Sequence, residues 1–422
     1  MNVREFLEHT ARDPQTVLHE KQSNREDISR PVPETLSIAD ALDDLAYFRM
    51  IIEQGYSGYT YYEKKQFDDA FSAMEKRITS GSDEIAPLDL LNIIAEELSF
   101  ISDGHLSLNA GNVKIRFFKK EMAYVSDARL REENGKYICT KCGKTIEFDE
   151  SVTLFPTLPD ENGPLYMIGV RSKEEVASIK VKADGEEIEL PLHMIASEPI
   201  PEKKPTAMLI EKYYDDVAVI TCTTFVGNTD KYLESFYRAG LRCRTCNHVI
   251  FNLVNNGGGN SVFPQRFFDG LYGWVGFSSK GGRIYDSSLL RAKRFGNIEE
   301  GVERTYSEWH NVKNEDEPTP ENMYNGSLHV VINQKVASSA ELAVCMASNV
   351  EGVKYYGCNS AGVGKYGDVL TWFLPKSCTI IRAPYKIFDN GIEETIGYTP
   401  DLWVDSTDPV GAVIEYVRGL KK

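Results

Sequence analysis

Ser338 lies where a run of buried-strand residues, Val330-Val331-Ile332, passes through a polar turn into Ser339-Ala340-Glu341-Leu342-Ala343, which has the composition of a small-residue helix. A serine at such a junction can act as a nucleophile. The strand gives it a rigid base, the turn lifts its hydroxyl out of the sheet, and the first free N–H groups of the helix can stabilise an oxyanion beside it. Serine in this place also serves as a plain helix N-cap, so it needs partners before it means chemistry. A second segment, Asn255-Asn256-Gly257-Gly258-Gly259-Asn260, follows another buried strand. Consecutive glycines cost backbone entropy and mark a place of positive φ or of close approach to the backbone. A phosphate cradle lacks the Walker lysine and the dinucleotide fingerprint here, which leaves an oxyanion hole as the other reading.

Two cysteine pairs, Cys139-Thr-Lys-Cys142 and Cys243-Arg-Thr-Cys246, have zinc-knuckle spacing. A structural zinc site requires both pairs to meet, although about one hundred residues separate them. The alternative is reduced cysteines at strand ends. Eight cysteines in 422 residues are too sparse for a disulfide scaffold. Among the seven histidines, His248 could be a base or a ligand but begins a buried strand, and His9, His19, His193, His310 and His329 lack supporting neighbours in the sequence.

The elements that must position these residues fall into segments. Residues 1–36 form a polar lead-in ending near Arg30-Pro31-Val32-Pro33, where proline forbids a helix interior. Over residues 37–110, Leu42, Leu45 and Phe48, then Phe67, Ala70, Phe71 and Met74, then Leu91, Ile94 and Leu98 recur at three- and four-residue intervals, which predicts a helical bundle. Residues 111–205 read as a β-rich module, with Asp184-Gly185 as a hairpin turn and Glu198–Pro205 as a proline-stiffened linker. Residues 206–422 alternate strands and helices, predicting an α/β domain whose sheet is covered on both faces.

With 42% hydrophobic and 11% aromatic residues the chain is globular, and its length can hold two or three domains. A net charge of −16 repels phosphate backbones and excludes nucleic acid as an expected partner. The first thirty residues are polar and charged, and no stretch approaches a membrane span. The expectation is a cytoplasmic protein, or an exported one if a leader has been removed.

Four motifs in order over about 160 residues are similar to the C-terminal processing peptidase and tricorn-core family of serine peptidases. They are the strand into Asn255-Asn256-Gly257-Gly258-Gly259, the turn Ala337-Ser338-Ser339-Ala340-Glu341, the loop Gly357-Cys358-Asn359-Ser360-Ala361-Gly362, and Gly391 through Pro400-Asp401. Asp103-Gly104-His105 resembles the family's Asp-x-His motif. The resemblance implies a crotonase-like α/β core, no metal or organic cofactor, and peptides or unfolded protein tails as substrates. Counting back three from Glu341, it makes Ser338 the nucleophile. Ser339 and the glycine loop, Gly258 first and Gly257 or Gly259 next, supply oxyanion N–H groups. In the family's lysine branch the base follows the loop glycine, which here is Val363, and Lys365 comes two residues late. The tricorn-like branch uses histidine and a glutamate, positions that His105 and Glu394 match. The rival is a ligand- or peptide-binding relative that keeps the fold without turnover.

Overall fold

The computed structural model describes residues 2–10, 32–197, 199, 207–273, 281–296, 298–310 and 324–420. The fold is mixed α/β, with nine α-helices among the described residues. The chain forms two compact units, neither of them continuous in sequence. One comprises Met1–Phe118, Lys280–Asn311 and Lys365–Asp389; the other comprises Lys119–Ser279, Val312–Gly364 and Asn390–Lys422.

The second unit is organised by one long sheet. Val217–Cys222, His248–Asn252, Ser327–Ile332, Lys354–Gly357 and Leu402–Trp403 run parallel, with Val217 opposite His248 and Ile250 opposite His329. Strand periodicity sorts their side chains. Ala218, Ile220, Val249, Phe251, Val330 and Ile332 point into a core with helices Thr229–Cys243, Val262–Tyr272 and Ser339–Ala347. Val217, Val219, Ile250 and Val331 face the opposite core with Val413 and Val417 of helix Pro409–Gly419. Helices therefore cover both faces, as the β-branched strands require. The β-rich stretch is not a separate layer: Trp403 pairs with Thr157, so antiparallel strands from residues 122–191 extend the same sheet. The linker expected over Glu198–Pro205 lies, apart from residue 199, outside the described residues.

The first unit is not a free-standing helical bundle. Helices Ile38–Gly55, Lys64–Thr79 and Pro87–Glu97 share one core with strands Asp103–Ala110 and Ile380–Asp389 and helix Ser288–Phe295. Its six-stranded sheet draws Gly281–Asp286, Tyr366–Phe373 and Ile380–Asp389 from the part of the chain read as α/β domain. Buried Asp44 fixes part of that union by accepting the N–H groups of Lys376 (2.9 Å) and Ser377 (2.7 Å). In the lead-in, helix Val3–Thr10 buries Val3 and Phe6 in this core, while residues 11–31 lie outside the described residues. No helix among the described residues is long and apolar enough to cross a membrane.

Candidate active site

Ser338 occupies the turn between strand Ser327–Ile332 and helix Ser339–Ala347 with φ 54° and ψ −122°. Positive φ on a serine is strained and persists only where the surroundings over-determine it. Glu341 does much of that. Fully buried one turn into the helix, its carboxylate accepts Ser338 N–H (3.2 Å), Ser360 Oγ–H (2.5 Å), Gly362 N–H (2.7 Å) and Val363 N–H (2.9 Å). Burial raises its pKa and these four donors oppose that rise. The Ser338 turn and the loop over residues 360–363 are thereby tied to one side chain.

The glycine loop lies against the same turn. A Cβ on Gly258 (φ 92°) would come within 2.6 Å of Ala337 O, 2.9 Å of Ser339 N and 3.1 Å of Ser338 Cβ, so only glycine permits this approach. Ser339 Oγ donates to Gly259 O at 2.7 Å, and Ala337 N donates to Asn256 O at 3.1 Å. Buried Asn256 also uses its side chain, giving Nδ2–H to Cys222 O and accepting Gly258 N–H, both at 2.9 Å. Behind the turn, Lys120 donates to Gln334 O at 2.8 Å, and burial pushes its pKa down to about 7.

Ser338, Ser339 and the expected glycines are therefore together, with Gly257 exposed at the loop tip. Glu394 lies half-buried in the same unit, in a segment that packs on the loop held by Glu341. There Thr395 N donates to Gly362 O (2.9 Å) and Tyr398 N to Ser360 Oγ (2.7 Å). Val363, the lysine-branch position, carries no amine, and its N–H is one of the Glu341 donors. His105 and Lys365 belong to the other compact unit. Lys365 Nζ sits over the Tyr61 ring, 3.6 Å from its centroid.

His105 is on strand Asp103–Ala110 and not on a helix. The strand is irregular between Asp103 and Ser107, and buried Asp103 accepts the His105 N–H (2.7 Å) and Leu106 N–H (3.2 Å) across that bulge. Burial pushes the His105 pKa down to about 4, partly opposed by Asp368. The ring is neutral at pH 7, the form a general base needs. Asp103 moves the other way: burial raises it to about 7 against the pull of its two N–H donors, Tyr56 and Lys365.

The two cysteine pairs do not meet. Cys139 packs with Leu130, Ile146 and Val181, whereas Cys243 and Cys246 pack with Phe236, Val249 and Leu328 in a different core. No group of three or more His, Cys, Asp or Glu is placed to hold a metal ion among the described residues. Burial pushes Cys243 up to about 12, which keeps its thiol protonated. The reading that pairs Cys139 and Cys142 with Cys243 and Cys246 is therefore corrected. His248 and His329 do have partners: His248 Nδ1 meets Ser327 Oγ at 2.6 Å, Ser327 Oγ meets His329 Nε2 at 3.0 Å, and His329 Nδ1 meets Tyr356 OH at 3.0 Å.

Sequence reasoning misses the roles of Asn256 and Lys120, and it uses Glu341 only as a ruler. The available signal is the asparagine density around Gly257–Gly259 and an acidic residue in an otherwise apolar helix.

No protein-family model and no curated protein matches the sequence. Solved structures do match in fold. Mature CPAF is 12% identical, with 91% of this chain and 97% of that one covered at a TM-score of 0.51. This chain has the CPAF fold. Two further matches are the photosystem II D1 C-terminal processing protease (12% identity, 87% and 93% covered, TM-score 0.38) and the tricorn protease (12%, 91% and 36%, 0.43). These fold neighbours are S41-family peptidases, in keeping with the resemblance seen in the motifs. At 12% identity it is the fold that is shared.

Proposed function

We propose that this chain is a serine peptidase with a crotonase-like core, hydrolysing peptides or protein C-terminal tails through an acyl-enzyme on Ser338. The observation that carries the reading is the strained backbone of Ser338 against Gly258, at the start of a helix. Strain at a hydroxyl-bearing turn, held by a buried carboxylate and pressed against a glycine loop, is costly unless the geometry is used. Ser338 Oγ attacks the scissile carbonyl. The N–H groups of Ser339 and of Gly258 or Gly257 receive the oxyanion. His105 takes the serine proton and returns it to the leaving amine, and Glu394 orients the imidazole and stabilises its charged form. Water, activated by the same histidine, then releases the acyl group. The chemistry uses side chains and water alone.

One observation favours a second reading, a binding protein that keeps the fold without turnover. The Gly258 N–H is already bonded to Asn256 Oδ1, so this candidate oxyanion donor is occupied. In the catalytic reading the donor is Gly257, or the loop turns when substrate arrives.

The test is treatment with a fluorophosphonate probe and mass mapping of the chain, Ser338→Ala and His105→Ala. Labelling of Ser338 in the chain alone, lost from both variants, supports an activated serine with His105 as base. Labelling that persists in His105→Ala moves the base elsewhere, with Lys120 next to be tested. No labelling in any form favours the binding reading.

A further inference from the structure

Asn333 directly follows strand Ser327–Ile332 on the way to Ser338, and it is 1% exposed. A side-chain amide can accept two hydrogen bonds and donate two, and each one left unmade in a buried place costs stability. Asn333 makes all four. Its Oδ1 accepts Asn255 N–H at 3.0 Å and Lys335 N–H at 3.1 Å. Its Nδ2 donates to Asn255 Oδ1 at 3.0 Å and to Ser197 Oγ at 2.8 Å.

These partners lie on both segments that build the site. The bond from Lys335 N–H closes a local turn, and Val336 N–H donates to Asn333 O at 2.9 Å, so one residue shapes the rise to Ser338 with its side chain and its main chain. The two bonds with Asn255 grip the other segment. Asn255 has φ 64°, a left-handed conformation that a residue other than glycine keeps only where its surroundings hold it. It opens the run Asn255-Asn256-Gly257-Gly258-Gly259. The next residue, Asn256, accepts Gly258 N–H on its side chain and Ala337 N–H on its main chain. One amide group therefore ties the start of the glycine loop to the start of the serine turn. Aspartate in its place keeps both acceptor bonds and can make neither donor bond.

We propose that Asn333 is a positioning residue for Ser338: by holding Asn255 in its left-handed conformation, it sets where the Gly257 and Gly258 N–H groups stand relative to the serine hydroxyl. For its chemistry this rests on the peptidase reading, and it gives Asn333 no contact with substrate. Misplacing a group in a reacting site by about 1 Å can cost about a hundredfold in rate. The loss from disturbing Asn333 therefore falls on the step that forms the bond to Ser338, and the binding that precedes it is spared.

The full chain, Asn333→Ala and Asn333→Asp are compared by hydrogen exchange and by the rate of fluorophosphonate labelling at Ser338 over a range of probe concentrations, each below its own melting temperature. The expected result for Asn333→Ala is a maximal labelling rate lower by about tenfold to a hundredfold, with the half-maximal probe concentration within about twofold of wild type. Exchange at Asn255 and Gly258 rises in the same variant. Asn333→Asp, which keeps the bond from Asn255 N–H, loses less. Combining Asn333→Ala with Gly258→Ala decides whether the residue acts through the loop: Gly258→Ala already displaces it, so the two losses together fall short of their product, whereas a merely structural role lets them multiply. Labelling of Asn333→Ala at the wild-type rate, a loss confined to the half-maximal concentration, or losses that multiply overturns the proposal. A wild-type chain that takes no probe defeats the peptidase reading, and exchange then decides alone: faster exchange at Asn255 and Gly258 in Asn333→Ala upholds the grip on the loop, and unchanged exchange overturns it.

Discussion

The Ser338 turn and the His105 bulge, one in each compact unit, are held by the same device and braced to different depths. Each depends on a buried carboxylate that accepts main-chain N–H groups from the chemistry-bearing segment. Glu341 gathers donors from the Ser338 turn, from Ser360 and from Gly362-Val363, joining segments some twenty residues apart. Asp103 takes its two main-chain donors from His105 and Leu106, within its own strand. In both, burial raises the pKa. Ser338 is therefore cross-braced by non-local bonds, which suits a strained residue, whereas His105 is shaped by a local bulge.

The strongest way to break this comparison is Glu341→Ala. It leaves four donors without their acceptor, and removing one partner of a buried charged network costs about 3–5 kcal/mol. Calorimetry should find a lower melting temperature, and hydrogen exchange should rise at Gly362 and Val363 as well as at Ser338. Asp103→Ala should raise exchange at His105 and Leu106 without spreading to a second loop. Wild-type exchange at Gly362 and Val363 in Glu341→Ala would mean that Glu341 is not the brace.

Gly258→Ala comes next. The added methyl must move either the glycine loop or the Ser338 turn, and it adopts a φ that costs alanine about 1–2 kcal/mol. Probe labelling of Ser338 should fall by about tenfold to a hundredfold, with a smaller loss of stability than in Glu341→Ala. Labelling at the wild-type rate would separate the glycine loop from the serine's chemistry.

Asp103→Asn sharpens the comparison through pH. The folded pKa of about 7 exceeds the ordinary 3.8, so between these values the folded state holds the proton more tightly than the unfolded chain does. Stability from this group is greatest at low pH and is lost as pH rises toward 7. His105 has the opposite sign: its pKa falls from 6.5 to about 4, so the unfolded chain binds more protons in that window and stability rises with pH. The difference in unfolding free energy, Asp103→Asn minus wild type, should climb between pH 4 and pH 7 and then level off. A flat difference would remove Asp103 as a titrating brace.

Much of this arrangement is legible in the sequence, and what escapes has a common cause. The parallel strands Val217–Cys222, His248–Asn252 and Ser327–Ile332 announce themselves because each is a run of β-branched and apolar residues buried on both faces. The serine turn and glycine loop are legible for a related reason: unusual residue types sit next to a strong strand signal. The sheet of the first unit is not, because Ile380–Asp389 pairs with Asp103–Ala110 and Gly281–Asp286 pairs in turn with Ile380–Asp389, three strands far apart in sequence. Local periodicity carries no address for such a pairing. Nor can spacing reveal that Trp403 pairs with Thr157 and fuses the β-rich stretch to the parallel sheet. The cysteine pairs mislead in the same way, since knuckle spacing fixes a local turn and leaves open which other turn it meets.

The smallest expected effect concerns His329, at the far end of the strand that leads to Ser338. It sits between Ser327 and Tyr356 in a buried polar chain, and burial, with the nearby His248, pushes its pKa down to about 4. The unfolded chain takes up its proton near pH 6.5 and the folded chain only near 4, so acidification through this window withdraws stability. His329→Gln keeps a donor and an acceptor but cannot charge. Its melting temperature should fall below wild type at pH 7 by a few degrees at most, through imperfect hydrogen bonds, and the gap should narrow toward pH 4. Ser338 labelling at pH 7 should be unchanged, because the brace at Glu341 does not run through this end of the strand. Loss of labelling in His329→Gln would show that the Ser338 turn depends on the whole strand, and the contrast between a deeply braced serine and a locally shaped histidine would then have to include the parallel sheet itself.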